Sequence, residues 1–209
     1  MPTRVWTKGV MTLAAAALFA ALPAAGASAA LIDTSLCDGS ALSQPFAPWG
    51  DSNNYKLLPG GDFEGSLSGY TFTGGAKKVS GSESFGATGD TGSYAVSIPA
   101  GGSVLTPATC VNAANPSYRF FYKSSGGLLG LVPAMTVSLV YRDSVLGLVE
   151  LPLGTALASG KWKPSPSELT LSVLPAAIAN GDVPLALRFT AVAGTWSVDD
   201  IFVDPYARW

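Results

Sequence analysis

Thr195-Trp196-Ser197-Val198-Asp199-Asp200-Ile201-Phe202-Val203-Asp204 ends the regularly patterned part of this chain, and Leu57-Leu58-Pro59-Gly60-Gly61-Asp62-Phe63-Glu64-Gly65 begins it. Both segments mix apolar positions suited to burial with carboxylates that are not. A carboxylate beside a packed strand needs a hydrogen-bonding partner or a cation. The two read as the first and last strands of one sandwich, with Phe63 and Trp196 in its core.

Between them, short alternating or apolar runs recur between Gly, Pro and Ser breaks, and no ten-residue window carries a helical stripe. Strands are expected at Lys56–Glu64, Tyr70–Val79, Ser93–Pro99, Ser103–Thr106, Tyr118–Lys123, Met135–Arg142, Val145–Leu151, Leu169–Leu174, Leu185–Val192 and Trp196–Val203. Met135-Thr136-Val137-Ser138-Leu139-Val140-Tyr141-Arg142 alternates with period two, as a half-buried antiparallel strand does, and Asp143-Ser144 suits a turn after it. Residues 30–55 and 152–168 read as loops, and Pro175–Ala179 as a short helix closed by Asn180-Gly181. The Leu128–Pro133 run is either a core strand or an exposed apolar loop for a protein partner. Strands at this spacing predict an all-β, antiparallel two-sheet sandwich.

Arg4 and Lys8, the apolar stretch Val10–Ala25 and the small-residue triplet Ala27-Ser28-Ala29 have the form of a secretory signal peptide over residues 1–29. The expected order is therefore leader 1–29, an irregular extension 30–55 and a sandwich domain 56–209, in a secreted protein with no membrane insertion. Without the leader's two cations, ten basic residues face fourteen acidic ones, a net charge of −4. That balance argues against a nucleic-acid partner. Both cysteines, Cys37 and Cys110, fall in the exported part, where oxidising conditions favour a disulfide. They lack the Cys-x-x-Cys spacing of a reactive pair, and their bond would tie the extension to the strand region near Val111.

Gly61-Asp62-Phe63-Glu64, followed by Gly69-Tyr70-Thr71-Phe72, resembles the opening of secreted carbohydrate-binding modules with the galactose-binding-like jelly roll. Asp90-Thr91-Gly92-Ser93-Tyr94-Ala95-Val96-Ser97-Ile98 resembles their central turn and strand, and Trp196–Val203 their close. The likeness spans residues 56–204, although the extension bearing Cys37 lies outside the usual pattern. It implies a jelly-roll sandwich, a carbohydrate ligand and a structural calcium joining the first and last strands, with Glu64 and Asp199 as ligands. Calcium takes six to eight oxygens, and the turn Asp90–Ser93 offers carbonyls. Alternation sets Asp199 and Asp200 on opposite faces, which favours Asp199 as the one toward Glu64. The other reading of these aspartates is solvated groups, or acceptors of backbone hydrogen bonds at an edge.

Catalytic constellations are scarce. The chain contains no histidine, which removes Ser-His-Asp and Cys-His arrangements and the common zinc sites. Asp90-Thr91-Gly92-Ser93 matches the aspartic protease tetrapeptide, but that chemistry needs two such loops. Glu83, Asp143, Glu150 and Glu168 read as solvated charges. A sugar offers an apolar face and a hydroxyl rim, so exposed aromatics with polar neighbours are the candidate binding residues: Trp162 first, then Trp49, Tyr55 and Tyr122. The expected function is non-catalytic binding of extracellular carbohydrate. Its rivals are a structural or adhesive exoprotein that binds protein or a cell-wall surface, and a carboxylate-dependent glycoside hydrolase.

Overall fold

The computed structural model describes residues 41–112, 117–126, 132–143, 146–166 and 182–204. Twelve strands occupy them: β1 Lys56–Leu57, β2 Thr71–Thr73, β3 Lys77–Ser80, β4 Tyr94–Ile98, β5 Ser103–Leu105, β6 Thr109–Asn112, β7 Ser117–Ser125, β8 Ala134–Asp143, β9 Gly147–Leu157, β10 Lys163–Pro164, β11 Asp182–Ala193 and β12 Thr195–Asp204. The only helical turn among the described residues is the 3-10 turn Ala47–Trp49. One sheet runs β10-β7-β12-β4-β3 with β1 also on β12, and the other runs β2-β5-β11-β8-β9 with β6 also on β11. All pairings are antiparallel. The chain is a β-sandwich of jelly-roll type.

Period-two alternation decides which side chains lie between the sheets. From the first sheet come Tyr118, Phe120, Tyr122, Val96, Ile98, Trp196 and Val198; from the second come Met135, Val137, Leu139, Leu187 and Phe189. Phe120 meets Phe189 edge-on across the interface, with ring centroids 4.9 Å apart. The buried Trp196 indole N–H donates to the Ala193 carbonyl at 2.9 Å, so its polar atom is satisfied inside the core.

A second, smaller cluster covers part of the outer face of the first sheet. Phe46 and Tyr55, from the expected extension, pack there against Phe121 and Phe202. A Ser43–Tyr55 bridge closes this segment on itself. Cys110, buried on β6, is disulfide-bonded; Cys37, its expected partner, lies outside the described residues.

Several expected elements differ. The opening strand is two residues long, because the chain turns at Gly60-Gly61 instead of continuing to Glu64. The single strand expected over Tyr70–Val79 is two strands in different sheets. Gly74 and Gly75, at φ of 58° and 82°, take the chain across, and a Cβ on Gly74 would lie 2.6 Å from the Gly101 carbonyl oxygen. β9 runs on through Pro152 to Leu157, and β10 follows at Lys163, where a loop is expected over 152–168. Both are edge strands, the place where a sheet tolerates proline. β6 has no counterpart among the expected strands. The strand expected at 169–174, the helix at 175–179, Glu168 and most of the 128–133 run lie outside the described residues; Val132 is exposed.

Candidate functional site

The two end segments do meet. Lys56 pairs with Val203 and Leu57 with Phe202, after which the Leu58 N–H donates to the Ile201 carbonyl and the Ile201 N–H to the Gly61 carbonyl. Along the same edge of β12, β4 pairs with residues 196–198. Asp199 and Asp200 fall in the gap between β4 and β1, where the register with β7 also shifts. Asp200 sits at φ 45°, a left-handed conformation that breaks the strand's alternation. The regular alternation expected to set Asp199 and Asp200 on opposite faces is therefore interrupted; neither is solvated, since both are buried, and Asp199 accepts backbone N–H groups, as the alternative reading held.

Burial raises the Asp199 carboxyl to about 7, against the pull of its donors: Ser82 Oγ at 2.7 Å, the Glu83 N–H at 2.8 Å and the Asp200 N–H at 2.9 Å. Asp200 is pushed up to about 8, first by burial, then by the charges of Asp199, Glu83 and Asp62 and a hydrogen bond with Glu83. Glu83, expected to be solvated, is buried, and its carboxylate accepts the N–H groups of Phe85 and Ala87.

Glu64 is placed differently from the calcium expectation. Its Oε1 accepts the N–H groups of Ser93 and Tyr94 at 2.7 and 2.8 Å. A Cβ on Gly92 would come within 2.5 Å of that oxygen and 2.8 Å of Ser82 Oγ. Glu64 and Asp199 thus grip the 82–94 segment from two points, each through backbone amides. Among the described residues no three acidic or cysteine side chains gather so as to hold an ion. Three of the four carboxylate oxygens that an ion between Glu64 and Asp199 would draw on already accept hydrogen bonds. The Asp90–Ser93 tetrapeptide is one face of this grip, with Asp90 itself exposed.

The four aromatic candidates separate. Tyr55 and Tyr122, at 0% and 1% exposure, are not ligand platforms. Tyr55 belongs to the outer cluster and donates its hydroxyl to Asp51 Oδ2 at 2.8 Å, while Tyr122 packs in the main core beside Trp196. Trp49 is exposed and stands edge-on to the exposed Phe85 at 5.1 Å, both resting on Phe121. Trp162 is half-buried against the same cluster, with the Lys123 ammonium 4.7 Å above its ring.

Trp162 ends a row that the sequence does not display. Register places Lys77 of β3 opposite Ser97 of β4, Ser97 opposite Ser197 of β12, and Ser197 opposite Lys123 of β7. Trp162, just ahead of β10, stands over Lys123. These positions alternate with the core residues Val96, Ile98, Trp196, Val198 and Tyr122, so the row lies on the outer face, and water reaches each member. Only the phase of the alternation hints at it. Phe85 was equally hidden, a lone aromatic in a Gly- and Ser-rich loop.

No family model and no curated protein matches this chain. Solved structures match in fold. A tandem pair of family 22 carbohydrate-binding modules (CBM22-1 and CBM22-2) from Paenibacillus barcinonensis superposes with a TM-score of 0.50 at 13% identity, over 73% of this chain and 46% of that one. The CBM22-1 and GH10 modules of a Clostridium thermocellum endo-1,4-β-D-xylanase, complexed with xylohexaose, give 0.48 at 14% identity over 74% of this chain and 29% of that one. A family 35 module from Clostridium thermocellum gives 0.44 at 13% identity, over 73% and 98%. The sandwich is thus one that carbohydrate-binding modules use, and this chain spans less than half of the first two structures.

Proposed function

We propose that this chain is a secreted, non-catalytic module that binds polysaccharide along the outer face of the β10-β7-β12-β4-β3 sheet. The carrying observation is the row Lys77, Ser97, Ser197, Lys123 and Trp162, one residue from each strand position across the sheet. An indole at one end offers a surface to the apolar face of a sugar ring, and the hydroxyls and ammonium groups beside it match the ring's hydroxyl rim. Trp49 and Phe85 extend the aromatic surface from the same cluster. Neighbouring strands stand about 4.8 Å apart, so the five positions cover roughly 19 Å, enough for several sugar units in line.

The reading agrees with the fold shared with the CBM22 pair, an argument by analogy. It agrees also with the leader-like pattern of residues 1–29 and with the absence of histidine from the sequence. The carboxylates of β12 are buried, and that of Asp199 is held by the Ser82 hydroxyl and two backbone amides, an arrangement that favours a structural role over acid–base work on a bound glycan. Affinity electrophoresis in gels containing xylan, galactan, β-glucan or pectins tests the proposal. Retardation by at least one polysaccharide, lost in Trp162→Ala and with no reducing ends released, is expected. Unretarded migration in every gel refutes it.

A further inference from the structure

Charge on the first sheet is segregated. Every charged side chain of β3, β4, β7, β10 and β12 that water reaches is a lysine: Lys77, Lys78, Lys123 and Lys163. The acids of these strands, Asp199, Asp200 and Asp204, are all buried, as is Arg119. This happens in a chain whose formal net charge is −2; Lys77 and Lys123 take the outer-face phase, while Lys78 and Lys163 stand opposite the core residues Val96 and Tyr122 near the sheet's two edges. The opposite sheet differs, since Arg188 there is paired with Glu150 at 3.0 Å.

Two of the lysines belong to the outer-face row. Lys77 is exposed at one end, and Lys123 is held over Trp162 near the other. Three strand spacings separate them, about 14 Å, with the hydroxyls of Ser97 and Ser197 between. A neutral glycan needs hydroxyl partners and a stacking surface, and gains little from two ammonium groups set apart along its path. A polymer with regularly spaced anionic groups pairs with both, and its sugar rings still meet Trp162 and the serines.

We infer that the polysaccharide bound on this face is anionic, carrying carboxylate or sulfate groups along its chain. The inference rests on the reading of this face as a carbohydrate site and adds the class of ligand. Because both lysines are solvated, the attraction is screened by salt and sets on-rate and selectivity as well as affinity.

The test uses the mature protein with polygalacturonate, its fully methyl-esterified form, dextran sulfate, dextran and xylan as probes. Affinity for polygalacturonate or dextran sulfate is expected to exceed that for the neutral counterpart by roughly tenfold or more, and to fall steeply between about 0.05 M and about 0.5 M sodium chloride. Preference for polygalacturonate identifies carboxylate as the group, and preference for dextran sulfate identifies sulfate. Lys77→Gln with Lys123→Gln should abolish the preference while leaving the melting temperature in place, since neither residue is buried. Equal binding of charged and neutral forms overturns the inference but leaves carbohydrate binding standing. Binding to none of the five defeats the anionic class, and with the neutral gels also silent it defeats the carbohydrate reading itself. Single-stranded DNA bound as tightly as the favoured glycan shows that charge alone is read and also overturns the inference.

Discussion

Arg119 Nη1 donates to Asp51 Oδ2 at 2.6 Å, and both side chains are nearly closed to water. The contact joins β7 to the segment that covers the sheet's outer face. Arg119 also donates from Nε and Nη2 to the Ser165 carbonyl, and its guanidinium lies 4.1 Å from the centre of the Phe46 ring. Burial alone would raise the Asp51 carboxyl; hydrogen bonds from the Tyr55 hydroxyl, Arg119 and the Asn53 N–H outweigh it and hold the group below the usual carboxylate range. Removing one partner strands the other in a poorly hydrated place, so Arg119→Ala should cost about 3 kcal/mol. Calorimetry should show a lowered melting temperature, and limited proteolysis a new cleavage between residues 41 and 55. An unchanged pattern would detach this pair from the stability of the outer cover.

The acidic gap beside β12 predicts the pH dependence of stability. In the folded protein burial holds the Asp199 and Asp200 carboxyls at about 7 and about 8, above the ordinary aspartate value of 3.8. The folded protein therefore binds more protons than the unfolded chain. Their contribution is full below about pH 4 and is lost as pH rises through 7 to 8. Melting temperature should fall between about pH 4 and about pH 8. Asp200→Asn keeps a residue tolerant of the left-handed backbone and removes the charge, so it should raise the melting temperature at about pH 8 and flatten the profile. A drop in Asp200→Asn, or a rise on adding calcium as large as that on acidification, would assign the gap to a cation.

Gly61 is the tightest point of contact between the chain's two end segments. A Cβ there would lie 2.8 Å from the Ile201 carbonyl oxygen and 3.1 Å from that of Leu58. Gly61→Ala should destabilise by about 2 kcal/mol through overpacking against backbone. Gly65, four residues on, has nothing within 4 Å of the same position. Urea midpoints for the two alanine variants should differ by that amount, and equal midpoints would mean that the turn gives way at no cost.

We propose that Cys110 pairs with Cys37. Secreted protein should then show no titratable thiol before reduction and two after it. Reduction should lower stability on the order of 4 kcal/mol for a loop of about 70 residues. Two thiols titrating without reductant would exclude the bond.

Strands that face core on one side and water on the other declared themselves in the sequence: β8, β11 and β12 alternate visibly, and their expected limits fall within a few residues of those found. Where glycine or proline punctuates an edge strand, as at Gly60, Gly74 or Pro152, local pattern cannot distinguish a turn from a tolerated irregularity. The expected contact of the two ends was legible because both carry apolar residues in strand phase. The burial of Glu83 was not, since it depends on amides in its own loop folding back to meet it. Among candidate binding residues, Trp162 stood out by its lysine and proline neighbours. Its companions Ser97, Ser197 and Lys77 come together through strand order, which runs β3-β4-β12-β7 in space and is nowhere written along the chain.

Lys56 faces Val203 in an antiparallel ladder, so the polypeptide arrives at β1 and departs from β12 at the same end of their pairing. Tension applied between those two points opens the hydrogen bonds one after another, like a zip, and does not load them together in shear. β1 is two residues long, and a force that reaches it along the chain first meets the Arg119–Asp51 clasp and the aromatic packing of residues 46–55. A module of this build, stretched between a polymer and an anchoring surface, gives way at this seam while the long β8, β9 and β11 strands stay closed.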